Sequence, residues 1–72
     1  MKINNFNDIQ LAELVARDQD LKLAIYENMK KYAGSFVKNL AECMLTADPI
    51  NLRLLVVAFS MYVREYLPEN KG

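Results

Sequence analysis

The sequence contains no histidine and no tryptophan, and it has only one cysteine, two glycines and two prolines in 72 residues. A lone cysteine cannot form an internal disulfide, and a chain without histidine or a cysteine pair lacks the usual ligands for zinc. No glycine-rich loop is present to bind a phosphate group. The sequence therefore offers no recognisable catalytic motif, and we expect neither a cofactor nor an enzymatic activity.

The chain also has no net charge, because its nine basic and nine acidic residues cancel. A neutral chain has no overall field that attracts nucleic acid or an anionic membrane. No signal peptide is expected, since residues 1–6 are polar. The longest apolar run, residues 50–67, contains Arg53, Arg64 and Glu65, which disfavours a membrane span. These features indicate a cytoplasmic protein with a reduced thiol.

Two helices have clear starting signals. Asn7, with Gln10 three positions later, has the pattern of a capping box, and it predicts a first helix over residues 8–17. Asp48-Pro49 combines an N-cap residue with a proline at the first helical position, and it predicts a last helix over residues 49–67. That helix should end before the second proline, which cannot continue it.

The segment between these helices is predicted as one long central helix over residues 20–47. Its polar and apolar faces keep their register across Gly34, and a glycine within a helix costs only about 1 kcal/mol relative to alanine. Two helices meeting at Gly34 are the alternative, because glycine followed by serine is a common helix boundary. The predicted fold is all-α, with three helices and the last one antiparallel to the central one.

The apolar positions of each helix predict the core. They are Ile9, Leu11, Ala12, Leu14 and Val15 in the first helix, Leu21, Ile25, Met29, Tyr32, Phe36, Leu40 and Met44 in the central one, and Leu52, Leu55, Val56, Phe59, Tyr62, Val63 and Tyr66 in the last. Cys43 lies among apolar neighbours and is expected to be a small buried hydrophobe. The terminal segments 1–5 and 69–72 are polar, and we expect the first to be frayed and the second to be a tail.

Four carboxylates cluster in the first part of the chain: Asp8, Glu13, Asp18 and Asp20. Converging carboxylates can support acid–base or metal chemistry. The three aspartates, however, stand where helix caps are expected. Capping and solvation are therefore the favoured interpretation.

The last helix has more apolar residues than one core-facing stripe requires. Leu54, Val57 and Met61 lie beside the polar side of this helix, and contiguous apolar patches on small proteins usually mark interfaces. Leu23 and Leu45 are expected to extend this apolar face. We predict that this face binds a protein, most simply a second copy in a homodimer, with Tyr62 and Tyr66 at its rim. A 72-residue chain also gains core by dimerising.

A nucleic-acid-associated regulator is the alternative function. Its contacts would come from five cations: Lys30, Lys31, Lys38, Arg53 and Arg64. Glu27 with Lys31 and Lys38 with Glu42 have the i, i+4 spacing of exposed ion pairs. A solvated polar face is therefore favoured for the lysines.

Residues 36–66, FVKNLAECMLTADPINLRLLVVAFSMYVREY, resemble the C-terminal part of short helical proteins encoded by bacteriophages and prophages. The shared pattern is an "FV–LA" helix followed by "ADP-N", a leucine-rich helix, "AF" and a closing tyrosine. The resemblance implies a phage or mobile-element source and a protein that inhibits or modulates a host or defence-system protein. The chain departs from the pattern at Ser60-Met61, where its periodicity predicts that the helix continues and the resemblance does not.

Overall fold

The computed structural model describes residues 2–71 except the side chain of Lys71, so Met1 and Gly72 lie outside the described part of the protein. This part is all-helical, as predicted. A 3-10 turn at Ile3–Asn5 is followed by α1 (Asp8–Arg17), α2 (Gln19–Tyr32), α3 (Ser35–Thr46), α4 (Pro49–Ala58), α5 (Ser60–Glu65) and α6 (Pro68–Lys71).

The two predicted helix starts are confirmed by their capping bonds. Asn7 Oδ1 accepts a hydrogen bond from the Gln10 N–H at 2.8 Å, and Gln10 Oε1 accepts one from the Asn7 N–H at 2.9 Å. Asp48 Oδ1 accepts the Asn51 N–H at 2.8 Å, one turn into α4. These bonds satisfy donors that have no partner within their helices. The first helix has the predicted bounds.

The predicted central helix over residues 20–47 is wrong, because the chain breaks between α2 and α3. Ala33 has φ −93° and ψ 165°, and Gly34 has φ −79° and ψ −174°, so both residues are extended. This two-residue connection lets the two helices fold against each other as a helical hairpin. The packing of α2 on α3 stabilises the break by more than the local sequence pattern stabilises a continuous helix.

The predicted last helix over residues 49–67 is also interrupted. Phe59, with φ −119° and ψ 34°, separates α4 from α5. The Phe59 N–H still donates to the Leu55 carbonyl, and the Phe59 carbonyl accepts from both Tyr62 and Val63. α5 ends at Glu65, and Pro68 opens α6 instead of only ending the preceding helix.

The helices pack as two antiparallel pairs. α1 makes its most extensive contacts with α4, and α2 with α3. Ion pairs place Asp8 beside Arg64 and Glu13 beside Arg53, so α1 runs opposite to α4 and α5. α4 therefore packs chiefly on α1, and the last helix does not lie along a long central helix as predicted.

The core lies between these pairs. Its buried members are Leu11, Ala12, Val15, Leu21, Ile25, Met29, Ala33, Val37, Leu40, Ala41, Met44, Leu52, Val56, Val63, Tyr66 and Leu67. The inner face predicted for the last helix is confirmed, since its members are buried or packed against this cluster. Four core predictions are wrong: Ile9, Tyr32 and Phe36 are exposed, and so is Cys43. The break at Gly34 removes Tyr32 and Phe36 from the common stripe, and Cys43 lies outside the buried positions of α3.

The two ends of the chain are joined by a set of hydrogen bonds that we call the terminal clasp, formed by Ile3, Asn4, Glu69 and Asn70. Glu69 Oε1 accepts from the Ile3 N–H at 2.9 Å, and Glu69 Oε2 accepts from Asn4 Nδ2 at 2.7 Å. Asn70 Nδ2 donates to Asn4 Oδ1 at 3.1 Å. The expectations of a frayed start and an unstructured tail are therefore wrong for residues 2–5 and 69–71.

Candidate functional site

Exposed apolar side chains form a row along α4, and one more follows on α5. Ile50, Leu54 and Val57 recur at intervals of four and three residues, which places them on one face of α4. They are 70%, 63% and 43% exposed, and Met61, four residues further on, is 72% exposed. We call these four residues the apolar stripe. The predicted exposure of Leu54, Val57 and Met61 therefore agrees with the structure, and Ile50 extends the row by one turn.

The composition of α4 explains this exposure. Leu52 and Val56 are buried, so they form the inner side of the helix. The other apolar residues of α4 cannot all share that side, because successive residues are separated by about 100° around a helix. The helix therefore presents apolar side chains both to the core and to solvent. Sequence reasoning missed Ile50, although its spacing of four from Leu54 was a usable signal.

Along α4, little uncompensated charge lies beside the stripe. Asn51 and Ala58, which lie seven residues apart on α4, are exposed and uncharged. The nearby guanidinium of Arg53 is paired within the chain, with its Nε atom 2.9 Å from Glu13 Oε1. A partner surface that covers the stripe therefore meets few groups with a high desolvation cost.

The two tyrosines predicted at the rim of the interface differ in their surroundings. Tyr62 is half-buried and forms an aromatic cluster with Phe36 and Phe59, with ring centroids 5.6 Å and 6.4 Å from its own. Tyr66 is only 7% exposed and belongs to the core. Burial raises the pKa of its phenol. Tyr66 is therefore not available as a rim residue, and it lies inward as its place on the predicted inner face requires.

Of the predicted extensions of this face, Leu23 is 37% exposed and Leu45 is half-buried. Each lies on a different helix from the stripe, Leu23 on α2 and Leu45 on α3. Neither is needed to define the row on α4 and α5.

The five cations of the nucleic-acid alternative do not form one free basic surface. Lys30 Nζ lies 2.8 Å from Glu42 Oε1, and Arg53 and Arg64 are paired with Glu13 and Asp8. Lys31 Nζ lies 5.2 Å from the centroid of the Tyr32 ring, and Lys38 is half-buried. Glu42 thus pairs with Lys30 across the α2–α3 hairpin, and not with Lys38 along α3 as the spacing predicted.

The polar contacts between helices shift several pKa values. A hydrogen bond from Arg64 holds the pKa of Asp8 below its usual range, and the Ser60 hydroxyl lowers it further. A hydrogen bond from Lys30, followed by one from Tyr26, lowers the pKa of Glu42. The same bonds raise the pKa values of Lys30 and Tyr26. These groups act as cross-links between helices.

The four predicted carboxylates do not converge on a common site. Asp18 caps α2 by accepting the Leu21 N–H at 3.1 Å, and Asp8 and Glu13 each bind an arginine. Among residues 2–71, no pocket and no group of three or more potential metal-ligating side chains is found.

Comparison with known proteins gives no relatives: no family model matches the chain, and no curated protein or solved structure matches it. Within the described residues, no helix has the length and apolar character needed to cross a bilayer.

Proposed function

We propose that this protein is a non-enzymatic interaction module that binds another protein through the apolar stripe. The observation that carries this proposal is the shared face of Ile50, Leu54 and Val57, exposed to solvent and followed by the exposed Met61. Apolar anchors at intervals of three and four residues are the usual recognition pattern of a helix that lies against another helix or in a groove. Methionine adds a side chain that adapts to irregular partner surfaces.

A second copy of the chain is the first partner that we propose. Burying each stripe side chain contributes roughly 1–2 kcal/mol at the exposures observed. A symmetric pair buries two stripes, for roughly 8–16 kcal/mol in total, against an association cost of roughly 4–15 kcal/mol. The two terms are of similar size, so we propose a homodimer that dissociates on dilution. On α4, the uncharged neighbours Asn51 and Ala58 also limit like-charge repulsion between two copies of this face.

A foreign target is the second partner within the same proposal. The phage resemblance implies a host or defence-system protein, which the module would inhibit or modulate by occupying the target's own apolar groove. We place this activity in the cytoplasm, where a chain with one exposed, unpaired cysteine keeps its thiol reduced.

The nucleic-acid alternative has less support, since Lys30, Arg53 and Arg64 are already paired with carboxylates.

The proposal is tested by light scattering over a wide dilution range. The native chain should give a dimer that dissociates on dilution, and Leu54→Glu with Met61→Glu should give a monomer with unchanged helix content. Ile9→Glu with Leu23→Glu is the matched control, because these exposed apolar residues lie outside the stripe. It should dimerise like the native chain. Equal masses for the stripe and control variants would contradict the proposal, and unfolding of the stripe variant would assign its residues to the core.

A further inference from the structure

The connection at Ala33-Gly34 joins two halves of the chain that contact chiefly each other. The three ion pairs found among residues 2–71 link residues before Ala33 to residues after Gly34. The α1–α4 and α2–α3 packing and the terminal clasp also cross between these halves. Most of the helix packing is therefore an interface between residues 2–32 and residues 35–71, and the remainder joins α1 to α2, α4 to α5 and α5 to α6 within each half.

Only two backbone rotations separate the bent connection from a continuous helix. The φ angles of Ala33 and Gly34, −93° and −79°, are already close to the helical range. Their ψ angles, 165° and −174°, would have to change to about −42°. The polar and apolar faces of the sequence already keep their register across this point, so the local pattern favours the straight form.

A straight helix cannot form within one compact chain. Residues 19–46 as a single helix would be about 42 Å long, whereas the longest dimension of the protein is 28 Å. Straightening therefore separates the two halves and exposes the buried faces of both. A second copy in the same state can cover them with contacts identical to those of the monomer.

We propose that Ala33-Gly34 is a hinge through which two copies exchange their N-terminal halves, giving a domain-swapped dimer with a long continuous helix in each chain. Residues 2–32 of one copy pack on residues 35–71 of the other, and the ion pairs and the terminal clasp form between chains. This dimer leaves the apolar stripe exposed. It is a separate mode of association and does not rest on the function proposed above.

Two substitutions at Gly34 should move this equilibrium in opposite directions. A Cβ at this position meets no atom within 4 Å, and φ is negative, so alanine is not obstructed in the bent form. Alanine favours the straight helix by about 1 kcal/mol per chain, and two chains lower the dimer dissociation constant about thirtyfold. Proline matches the bent φ and the extended Ala33 before it, but it disrupts a continuous helix.

The experiment compares the two variants after refolding at high concentration, with Leu54→Glu and Met61→Glu present to remove association through the stripe. Gly34→Ala should yield a dimer by light scattering, and Gly34→Pro should yield only a folded monomer. Equal dimer fractions for the two variants, or no dimer in either, would overturn the proposal. A monomer in the chain that carries Leu54→Glu and Met61→Glu but keeps Gly34 would test association through the stripe, and the hinge is tested by the two Gly34 variants.

Hydrogen exchange provides a second measurement that does not need the stripe substitutions. In the continuous helix, the N–H groups of Ser35, Phe36 and Val37 gain the carbonyls four residues earlier as acceptors. In a Gly34→Ala dimer these amides should exchange at least tenfold more slowly than in the Gly34→Pro monomer. A dimer in which they exchange as fast as in that monomer would contradict the hinge.

Discussion

Arg64 on α5 and Asp8 at the start of α1 form an ion pair, with Arg64 Nη2 2.8 Å from Asp8 Oδ1. The same nitrogen donates to the carbonyl oxygen of Phe6, also at 2.8 Å. One guanidinium thereby fixes the segment that leads into α1, across a sequence separation of 56 residues. Arginine suits this position because its planar group offers several donors in a fixed arrangement.

Replacing Arg64 by alanine should lower the free energy of unfolding by about 1–2 kcal/mol, since the half-buried bond to the Phe6 carbonyl is lost together with the ion pair. Asp8→Asn is the matched control. It removes the charge of Asp8 but leaves the Arg64 bond to the Phe6 carbonyl in place, so it should cost less. Urea denaturation followed by circular dichroism measures both changes. Equal losses for the two variants would show that the ion pair dominates this junction and would contradict a contribution from the Phe6 bond.

The terminal clasp predicts that the last helix stabilises the first residues. Glu69→Ala removes the acceptor of the Ile3 N–H and of the Asn4 side chain, so we expect a loss of about 1 kcal/mol and faster hydrogen exchange at Ile3. Glu69→Gln keeps one acceptor oxygen and should have an intermediate effect. Unchanged exchange at Ile3 in the alanine variant would contradict the clasp.

The contacts of Glu42 predict a pH range of maximal stability. Lys30 and Tyr26 lower the pKa of Glu42. Glu42 therefore stabilises the fold above about pH 4, the usual pKa of a carboxylate, and this stabilisation is lost as the pH falls through its lower folded-state pKa. The pKa values of Lys30 and Tyr26 are raised. Their contribution is present below about pH 10 and disappears as the pH rises through their folded-state values.

The variant Glu42→Gln separates this site from other titrating groups. Its stability should differ most from that of the native chain between about pH 5 and pH 10, and the difference should disappear in stronger acid, where Glu42 is protonated. Urea midpoints measured across this range test the point. Glu27→Gln on the exposed face of α2 is the control and should alter the profile much less. A difference independent of pH would contradict the assigned bonds.

Two leucines provide a matched test of where the core ends. Leu67 is fully buried, and its replacement by alanine should cost about 2–5 kcal/mol through lost contacts and a residual cavity. Leu54 is 63% exposed, and the same replacement should change the stability of the dilute monomer by no more than about 0.5 kcal/mol. Chemical denaturation at low protein concentration measures both. Similar losses for the two variants would place Leu54 in the core.

The parts of the fold that sequence could predict are those determined by neighbouring residues. Asn7 and Gln10 interact three positions apart, and Asp48 caps the turn that follows it, so both helix starts were predictable. The exposed face of α4 was predictable for a related reason. A helix with apolar residues on every side must leave some of them in solvent when its neighbours are few.

The remainder depends on contacts distant in sequence. The break at Gly34 was only an alternative, because the local helical pattern continues across it while the packing of α2 on α3 decides the outcome. Glu69 and Asn4 are 65 residues apart, and no spacing rule brings them together. Periodicity correctly placed Tyr66 on the inner face of the last helix, and only its second assignment, to the rim of the interface, was wrong. Cys43 was misplaced because apolar chain neighbours do not determine which side of a helix faces the core.

The most direct test of the apolar stripe as an interface is a concentration series of amide NMR spectra of the native chain. We expect chemical shifts that change with concentration to centre on residues 50–61, where Leu54, Val57 and Met61 would meet the partner copy. Changes centred on residues 33–37 would indicate the exchanged dimer instead. That result, or spectra that do not change with concentration, would contradict self-association through the stripe.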